Sequence, residues 1–199
     1  MEVVENTVED AYELPNDAKK YLESGEQTEV TQEIEKLVSD IHGTTEEKVT
    51  QLLNGMARNS ERRNFNEAEF RRRTAKEIID SRYYTGCGDF ALVFTTLARA
   101  TGIPTIYVET IDEKWLERGD TRFSGHAYAK VYDQETKGWI WVDPMRREIG
   151  KSPEVRERVI LAEGKDAWDL GIRDFKTLQE AFREYRGKWL LEKQKITTV

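Results

Sequence analysis

The single cysteine of this chain, Cys87, is the residue best suited by type and position to act as a nucleophile. It follows Thr85 and Gly86 and precedes an apolar-periodic run from Phe90, a pattern that predicts a turn and then a helix. A thiol at a helix start lies at the positive end of the helix dipole, which favours the thiolate and lowers the pKa. The position of Cys87 therefore suggests the hypothesis that its thiol acts as a covalent catalyst.

Two downstream residues, His126 and Asp143, can supply the base and the orienting carboxylate. Strands predicted over 125–132 and 137–142 are joined by a polar hairpin turn centred on 134–135. That register places the histidine opposite the aspartate, and a longer loop would leave them diagonal, about 7–8 Å apart at the backbone. The imidazole would accept the thiol proton and the carboxylate would hold the imidazole, which is the logic of a Cys-His-Asp triad.

Each of the three residues also has an ordinary structural explanation. A lone cysteine before an apolar helix is most often a small buried side chain. A strand histidine is more often structural than catalytic, and an aspartate before Pro144 is a common way to end a strand. The predicted pairing of His126 with Asp143 is what favours chemistry over these explanations.

Strand alternation separates the hairpin into two faces. One face is small and apolar and predicts core: Ala127, Ala129, Val131, Ile140 and Val142. The other face has aromatic walls around His126, including Trp139, and we predict that Tyr84, Tyr128 and Trp141 contact the substrate. The Cys87 backbone N–H is one expected hydrogen-bond donor to the oxyanion. A second donor is needed, and four residues are candidates for it: Asn64, Asn66, Tyr83 and Tyr84.

The elements that must position these residues are predicted from periodicity. Helices are expected over 28–41, from a Thr44–Glu47 capping box to Met56, over Glu67–Asp80, from Cys87 to a stop at Gly102, and from Asp174 onward. A strand is expected over 103–111 and a polar loop over 112–124, while 155–162 fits either strand or helix. Arg71, Arg72 and Arg73 are expected on a solvated helix face rather than at an anion site. Trp168 and Asp169 either anchor a loop or line the cleft.

This order of elements predicts an α+β fold, in which N-terminal helices and a central Cys-bearing helix pack on an antiparallel sheet. We expect an acidic arm over 1–27, a catalytic core over 28–150, and a C-terminal extension over 151–199 that ends in a helix packed on the core. At 199 residues the whole chain is expected to form a single globular domain.

Composition narrows the partners and groups to be expected. With 38 acidic and 31 basic side chains and a formal charge of −7, the chain is not expected to bind nucleic acid or an anionic membrane. One cysteine and two histidines predict neither a disulfide nor a metal site, and no cofactor is expected. The first residues lack the pattern of a signal peptide, so a cytoplasmic location is the default expectation. Composition predicts no oligomeric state.

Three blocks of this sequence together resemble the transglutaminase-like superfamily. The first is Gly86-Cys87-Gly88-Asp89-Phe90-Ala91, which runs into Ala98-Arg99-Ala100-Thr101-Gly102-Ile103-Pro104. The others are Gly125-His126-Ala127-Tyr128 and Gly138-Trp139-Ile140-Trp141-Val142-Asp143-Pro144. The resemblance covers about residues 80 to 145, and 1–27 and 146–199 lie outside it.

This resemblance implies a papain-like core in which Cys87 is the nucleophile, His126 the general base and acid, and Asp143 the orienting residue. It also implies acyl-thioester chemistry on amides of a peptide or protein substrate, most simply by a cysteine peptidase or amide hydrolase. Alternatives are a catalytically idle peptide- or glycan-binding module and a protein-crosslinking transglutaminase, although no calcium loop is recognisable. A redox-sensing thiol is disfavoured because the chain has no second cysteine to resolve it.

Overall fold

The structure is a computed structural model that describes residues 14–59, 61–120 and 122–197. Its α-helices are α1 (Asn16–Lys19), α2 (Gln32–Leu37), α3 (Thr45–Asn59), α4 (Ala75–Ser81), α5 (Cys87–Ala100), α6 (Glu113–Arg118) and α7 (Phe175–Thr197). Its strands are β1 (Glu61–Arg62), β2 (Tyr83–Tyr84), β3 (Thr105–Asp112), β4 (Gly125–Asp133), β5 (Gly138–Asp143), β6 (Glu148–Ile149) and β7 (Arg158–Gly164). Short 3₁₀ helices cover Lys20–Leu22 and Pro153–Arg156. Residues 1–13 of the predicted arm lie outside the described residues.

An antiparallel sheet with the strand order β6-β5-β4-β3-β7 forms the framework of the fold. Helix α5 packs on its inner face, where Leu92 and Phe94 share the main core with the small residues of β4, Ala127, Ala129 and Val131. Short side chains on the strand let a helix come close to the sheet. The α+β arrangement predicted from the sequence is confirmed.

A turn held by side-chain hydrogen bonds precedes α5. The Asp89 carboxylate accepts both the N–H and the hydroxyl of Thr85 at 2.8 Å, and Arg73 Nη2 donates to the same oxygen at 2.5 Å. The helix ends before Gly102, whose φ of +81° suits glycine. Cys87 is therefore the first residue of the central helix, as predicted.

Two predicted helices differ from the structure. The first is limited to α2, capped by Thr31, and Leu37 is 61% exposed instead of lying on a buried stripe. The third begins only at α4, where Thr74 and Glu77 form a capping box. The cause is Arg71, whose backbone lies in the left-handed region with φ of +57°, a conformation that interrupts a right-handed helix. Arg71 is also buried, so its assignment to a solvated face is wrong.

The β4–β5 hairpin has a longer loop than predicted. Asp133 pairs with Gly138, so four residues form the connection instead of two. Two features stabilise it: the Asp133 carboxylate accepts the Thr136 N–H at 3.2 Å, and Lys137 adopts a left-handed φ of +56°. Each residue of β4 is thereby offset by two positions along β5 relative to the short-turn register. His126 and Asp143 are diagonal neighbours, which is the longer-loop alternative.

The segments after β3 and β5 are more structured than expected. Instead of a polar loop, Asp112 caps α6 by accepting the Trp115 N–H at 3.1 Å, and Trp115 is buried. The ambiguous 155–162 segment becomes the end of a 3₁₀ helix followed by β7, which pairs with β3 at the sheet edge. Helix α7 then covers the core through Phe182, whose ring centroid lies 5.5 Å from that of Trp115. Within the described ranges, no helix has the length and apolar composition needed to cross a membrane.

Candidate active site

Three elements bring Cys87, His126 and Asp143 to one place. The cysteine is the first residue of α5, the histidine is the second residue of β4, and the aspartate is the last residue of β5. His126 Nε2 and Asp143 Oδ2 are 2.8 Å apart, and their side chains are only 4% and 1% exposed. The diagonal hairpin register is therefore sufficient to join imidazole and carboxylate.

The Cys87 thiol lies beside the His126 imidazole, and the two groups change each other's ionisation. Burial raises the pKa of Cys87, but hydrogen bonding to His126, the charge of His126 and the charge of Arg71 together hold it below its usual value. Burial likewise lowers the pKa of His126, but Asp143 and the thiolate outweigh it and raise this pKa to about 9. Both shifts favour a thiolate–imidazolium pair over a neutral thiol beside a neutral imidazole.

Asp143 is held ionised by two partners. Burial raises its pKa, yet hydrogen bonds and charge from His126, together with hydrogen bonds from Arg146, bring the value below normal. The Arg146 backbone N–H donates to Oδ1 at 3.1 Å and its Nη1 donates to Oδ2 at 3.1 Å. Since Nη1 also lies 3.5 Å from His126 Nε2, Arg146 restrains the carboxylate directly behind the imidazole.

A buried ion pair lies next to the thiol. Arg71 Nη2 donates to Glu109 Oε2 at 2.7 Å, and the two side chains are 2% and 1% exposed. The Tyr107 hydroxyl donates to the same carboxylate oxygen at 2.8 Å. The sequence analysis placed neither Arg71 nor Glu109 in the site. One signal existed, because Glu109 is a charged residue within the strand predicted over 103–111, and a charge buried in a strand needs a partner.

The predicted substrate-binding residues differ in accessibility. Tyr84 is buried, stacks on Phe90 with ring centroids 4.0 Å apart, and lines a cavity of about 620 Å³ among α2, α3, α4 and α5. Tyr128 is buried beside His126, with ring centroids 4.8 Å apart. Trp141 is half-buried on the outer sheet face, where Tyr21 covers the neighbouring Trp139. The substrate-binding roles of Tyr84, Tyr128 and Trp141 therefore stay predictions.

Other candidates are engaged elsewhere. The Asn66 amide donates to Glu69 Oε1 at 2.9 Å, and the Tyr83 hydroxyl donates to the other oxygen of that carboxylate at 3.0 Å. Trp168 donates its indole N–H to the Arg71 carbonyl at 2.6 Å, which is how a loop anchor behaves. In the part of the chain that the structure describes, no group of three or more His, Cys, Asp or Glu residues could hold a metal ion.

A protein-family model matches more than half of the chain. The model described as the transglutaminase-like superfamily matches residues 30–144, which include all three site residues. The chain belongs to the transglutaminase-like superfamily. The resemblance inferred from the three sequence blocks is therefore confirmed. No match was found among curated proteins.

Solved structures that align with this superfamily member include the following three. A crystal structure from Cytophaga hutchinsonii, provisionally described as a cysteine protease, aligns with a TM-score of 0.61 and 23% identity over 80% of this chain and 50% of that one. The chain thus spans about half the length of the Cytophaga protein. The periplasmic domain of TgpA from Pseudomonas aeruginosa aligns with a TM-score of 0.46 and 19% identity over 65% of this chain and 47% of that domain. Legionella pneumophila LapG aligns with a TM-score of 0.46 and 13% identity over 77% of this chain and 96% of LapG.

Proposed function

We propose that this protein is a thiol-dependent amide acyl-transfer enzyme, acting as a cysteine peptidase or amide hydrolase on a peptide or protein substrate. The observation that carries the proposal is the placement of His126 between two groups. One side of the imidazole faces the Cys87 thiol, and Nε2 is 2.8 Å from Asp143 Oδ2. This order of nucleophile, base and orienting carboxylate is what general-base activation of a thiol requires.

Acylation begins with attack of the Cys87 thiolate on the substrate carbonyl carbon, which forms a C–S bond and a tetrahedral oxyanion. Cys87 starts α5, and a residue at that position has a backbone N–H that no helical carbonyl accepts, so it can donate to the oxyanion. The His126 imidazolium then gives its proton to the leaving nitrogen as the C–N bond breaks, and Asp143 stabilises the imidazole in the correct orientation.

Deacylation reverses the roles of the same groups. His126, now neutral, accepts a proton from water, and the resulting hydroxide attacks the thioester carbonyl. Collapse of the second tetrahedral intermediate breaks the C–S bond, releases a carboxylic acid and returns the sulfur as thiolate beside the imidazolium. Water is always available as the acyl acceptor, whereas a crosslinking reaction needs an organised amine site. We therefore favour hydrolysis.

The pH range of the reaction follows from the two ionisations. The reactive form requires deprotonated Cys87 and protonated His126. It therefore exists between the lowered pKa of the thiol and the raised pKa of the imidazole, about 9. Activity should fall on the acidic side as the thiolate is protonated, and on the alkaline side as the imidazolium loses its proton.

Alkylation of the single thiol tests the activated nucleophile without requiring a known substrate. Cys87 should react with iodoacetamide at pH 6 at least about tenfold faster than a model thiol, because more of it is thiolate. H126A should remove this excess, while H42A, which changes the exposed second histidine, should keep it. A wild-type rate equal to that of the model thiol would refute the nucleophile assignment.

Product analysis separates the possible outcomes for the acyl group. The wild-type protein and C87A are incubated with a mixed peptide library, with and without a fluorescent primary amine, and the products are identified by mass spectrometry. New peptide termini or deamidated glutamines that depend on Cys87 support hydrolysis. Incorporation of the amine instead would identify a crosslinking enzyme. Peptide binding that is equal in both proteins, with no product, would favour a binding module.

A further inference from the structure

The triad mechanism assigns no role to the buried ion pair of Arg71 and Glu109. An ion pair that is removed from water loses much of its hydration energy, and apolar residues of similar volume often stabilise a core equally well. Stability alone is thus a weak reason for two charges at this place. Their position next to the nucleophile suggests a different reason.

The Arg71 backbone is fixed from two sides. Its carbonyl accepts the Gln27 side-chain amide at 3.0 Å and the Trp168 indole N–H at 2.6 Å. Its φ of +57° is a left-handed conformation, which is uncommon for a residue other than glycine. These contacts direct the side chain inward between α5 and β3.

The guanidinium reaches the first turn of the helix that carries Cys87. A Cβ atom built on Gly88 would overlap Arg71 Nη1, so only glycine at that position leaves room for the cation. The charge of Arg71 therefore lies against the residue that follows the thiol. This contact explains a Gly at the second position of α5, where helix propensity would favour another residue.

Glu109 opposes the cation from β3. It accepts from Arg71 and from the Tyr107 hydroxyl, both at Oε2. The other charged groups around the thiol are His126 on β4 and, on α5 itself, Asp89, which is paired with Arg73. Electrostatically, Arg71 lowers the pKa of Cys87 and Glu109 raises it.

We propose that Arg71 and Glu109 are positioning residues that set the charge balance around Cys87 from beneath its helix. Arg71 adds positive potential at the thiolate, Glu109 moderates that potential, and Gly88 allows the approach. The inference rests on the proposed function, because it assigns to the pair a role only if the Cys87 thiolate is the nucleophile. It adds to the triad two residues that do not touch the substrate.

Opposite shifts in two variants test this role. R71M removes the cation and should raise the apparent pKa of Cys87 by about one unit, a tenfold loss of thiolate on the acidic limb. E109Q removes the opposing anion and should shift the same pKa downward. Iodoacetamide alkylation followed between pH 4 and 9 measures both, and the double variant should return toward the wild-type profile.

Two controls separate electrostatics from damage to the fold. R99M removes another buried arginine, whose guanidinium donates to the Thr105 carbonyl, the Thr28 hydroxyl and the Lys165 carbonyl, and it should not move the thiol pKa. Y107F removes a hydrogen bond to Glu109 but keeps the charges of Arg71 and Glu109, so it is the control for the loss of a hydrogen bond without a change of charge. If R71M fails to fold, R71K keeps the charge and should preserve the profile, and E109Q still provides the signed shift.

The outcomes distinguish this inference from the proposed function. Shifts of R71M and E109Q in the same direction, or unchanged profiles in folded variants, would overturn the role of the pair. A wild-type thiol that alkylates like a model thiol would instead overturn the nucleophile itself. Opposite shifts with an activated wild-type thiol support both.

Discussion

Replacing Asp143 by asparagine should lower the pKa of His126 and narrow the pH range in which the thiolate–imidazolium pair exists. The carboxylate oxygen is 2.8 Å from His126 Nε2, and both side chains are almost fully buried. An asparagine can keep a hydrogen bond there but has no charge to stabilise the imidazolium. Arg146, which now shares that carboxylate, would remain as an unopposed cation nearby.

The magnitude can be worked from the lost interaction. A hydrogen bond to a charged group contributes roughly 1.5–3 kcal/mol, and one pKa unit corresponds to about 1.4 kcal/mol. The pKa of His126 should thus fall by about one to two units from its value of about 9. A fall of about 1.5 units would reduce the imidazolium fraction at pH 8 from about nine-tenths to about one-quarter.

The titration of the His126 Cε1–H signal by NMR measures this shift directly. The chain has two histidines, so exposed His42 supplies an internal reference in the same spectra. The alkaline limb of Cys87 alkylation should move by the same amount. D80N is a control, because it neutralises an exposed aspartate on α4 that is paired with Lys76 and lies outside the hairpin. A His126 pKa within about 0.3 units of wild type in folded D143N would refute the reasoning.

Two further substitutions, each with a control variant, test the packing that supports the site. F182A should lower the free energy of unfolding in urea by about 3–5 kcal/mol, because Phe182 is fully buried against α6 and β4. L191A, on the exposed side of α7, should change the free energy of unfolding by less than about 0.5 kcal/mol. Equal effects of the two substitutions would contradict the docking of α7. G88A should lower the free energy of unfolding by about 1–3 kcal/mol, because the new methyl group meets the Arg71 guanidinium. G55A on α3, where a Cβ would meet no atom within contact distance, should raise the free energy of unfolding by about 0.5–1 kcal/mol. A G88A protein as stable as wild type would show that the contact between Gly88 and Arg71 is absent.

Local patterns were enough to predict the parts of the site that depend on short stretches of chain. The turn at Gly86, the apolar periodicity after Cys87 and the stop at Gly102 identify α5 without tertiary information. Two-residue alternation placed the small residues of β4 on the inner face, where α5 packs. Helix and strand periods are set by local backbone geometry, so these features are readable from neighbouring residues.

The hairpin shows where such local information ends. Alternation alone fixed which side of the strand bears His126, but the register depended on the loop. The Asp133 carboxylate and the left-handed Lys137 give a four-residue connection, which displaces the pairing by two positions. The two possible hairpin registers differ by two residues, which is one full period of strand alternation. Both registers therefore place His126 and Asp143 on the same face of the sheet, and the sequence could not choose between them.

The sequence by itself determined the superfamily and the α+β order of elements, and it selected Cys87, His126 and Asp143 as the candidate triad, because short motifs and strand parity are local properties. Tertiary structure alone decided that Arg71 leaves the predicted helix, turns inward and meets Glu109, 38 residues further along the chain. That contact needs a left-handed backbone, a glycine at position 88 and a strand placed behind the helix. Two charged side chains form a buried ion pair only when the whole fold brings them close together and removes the water between them.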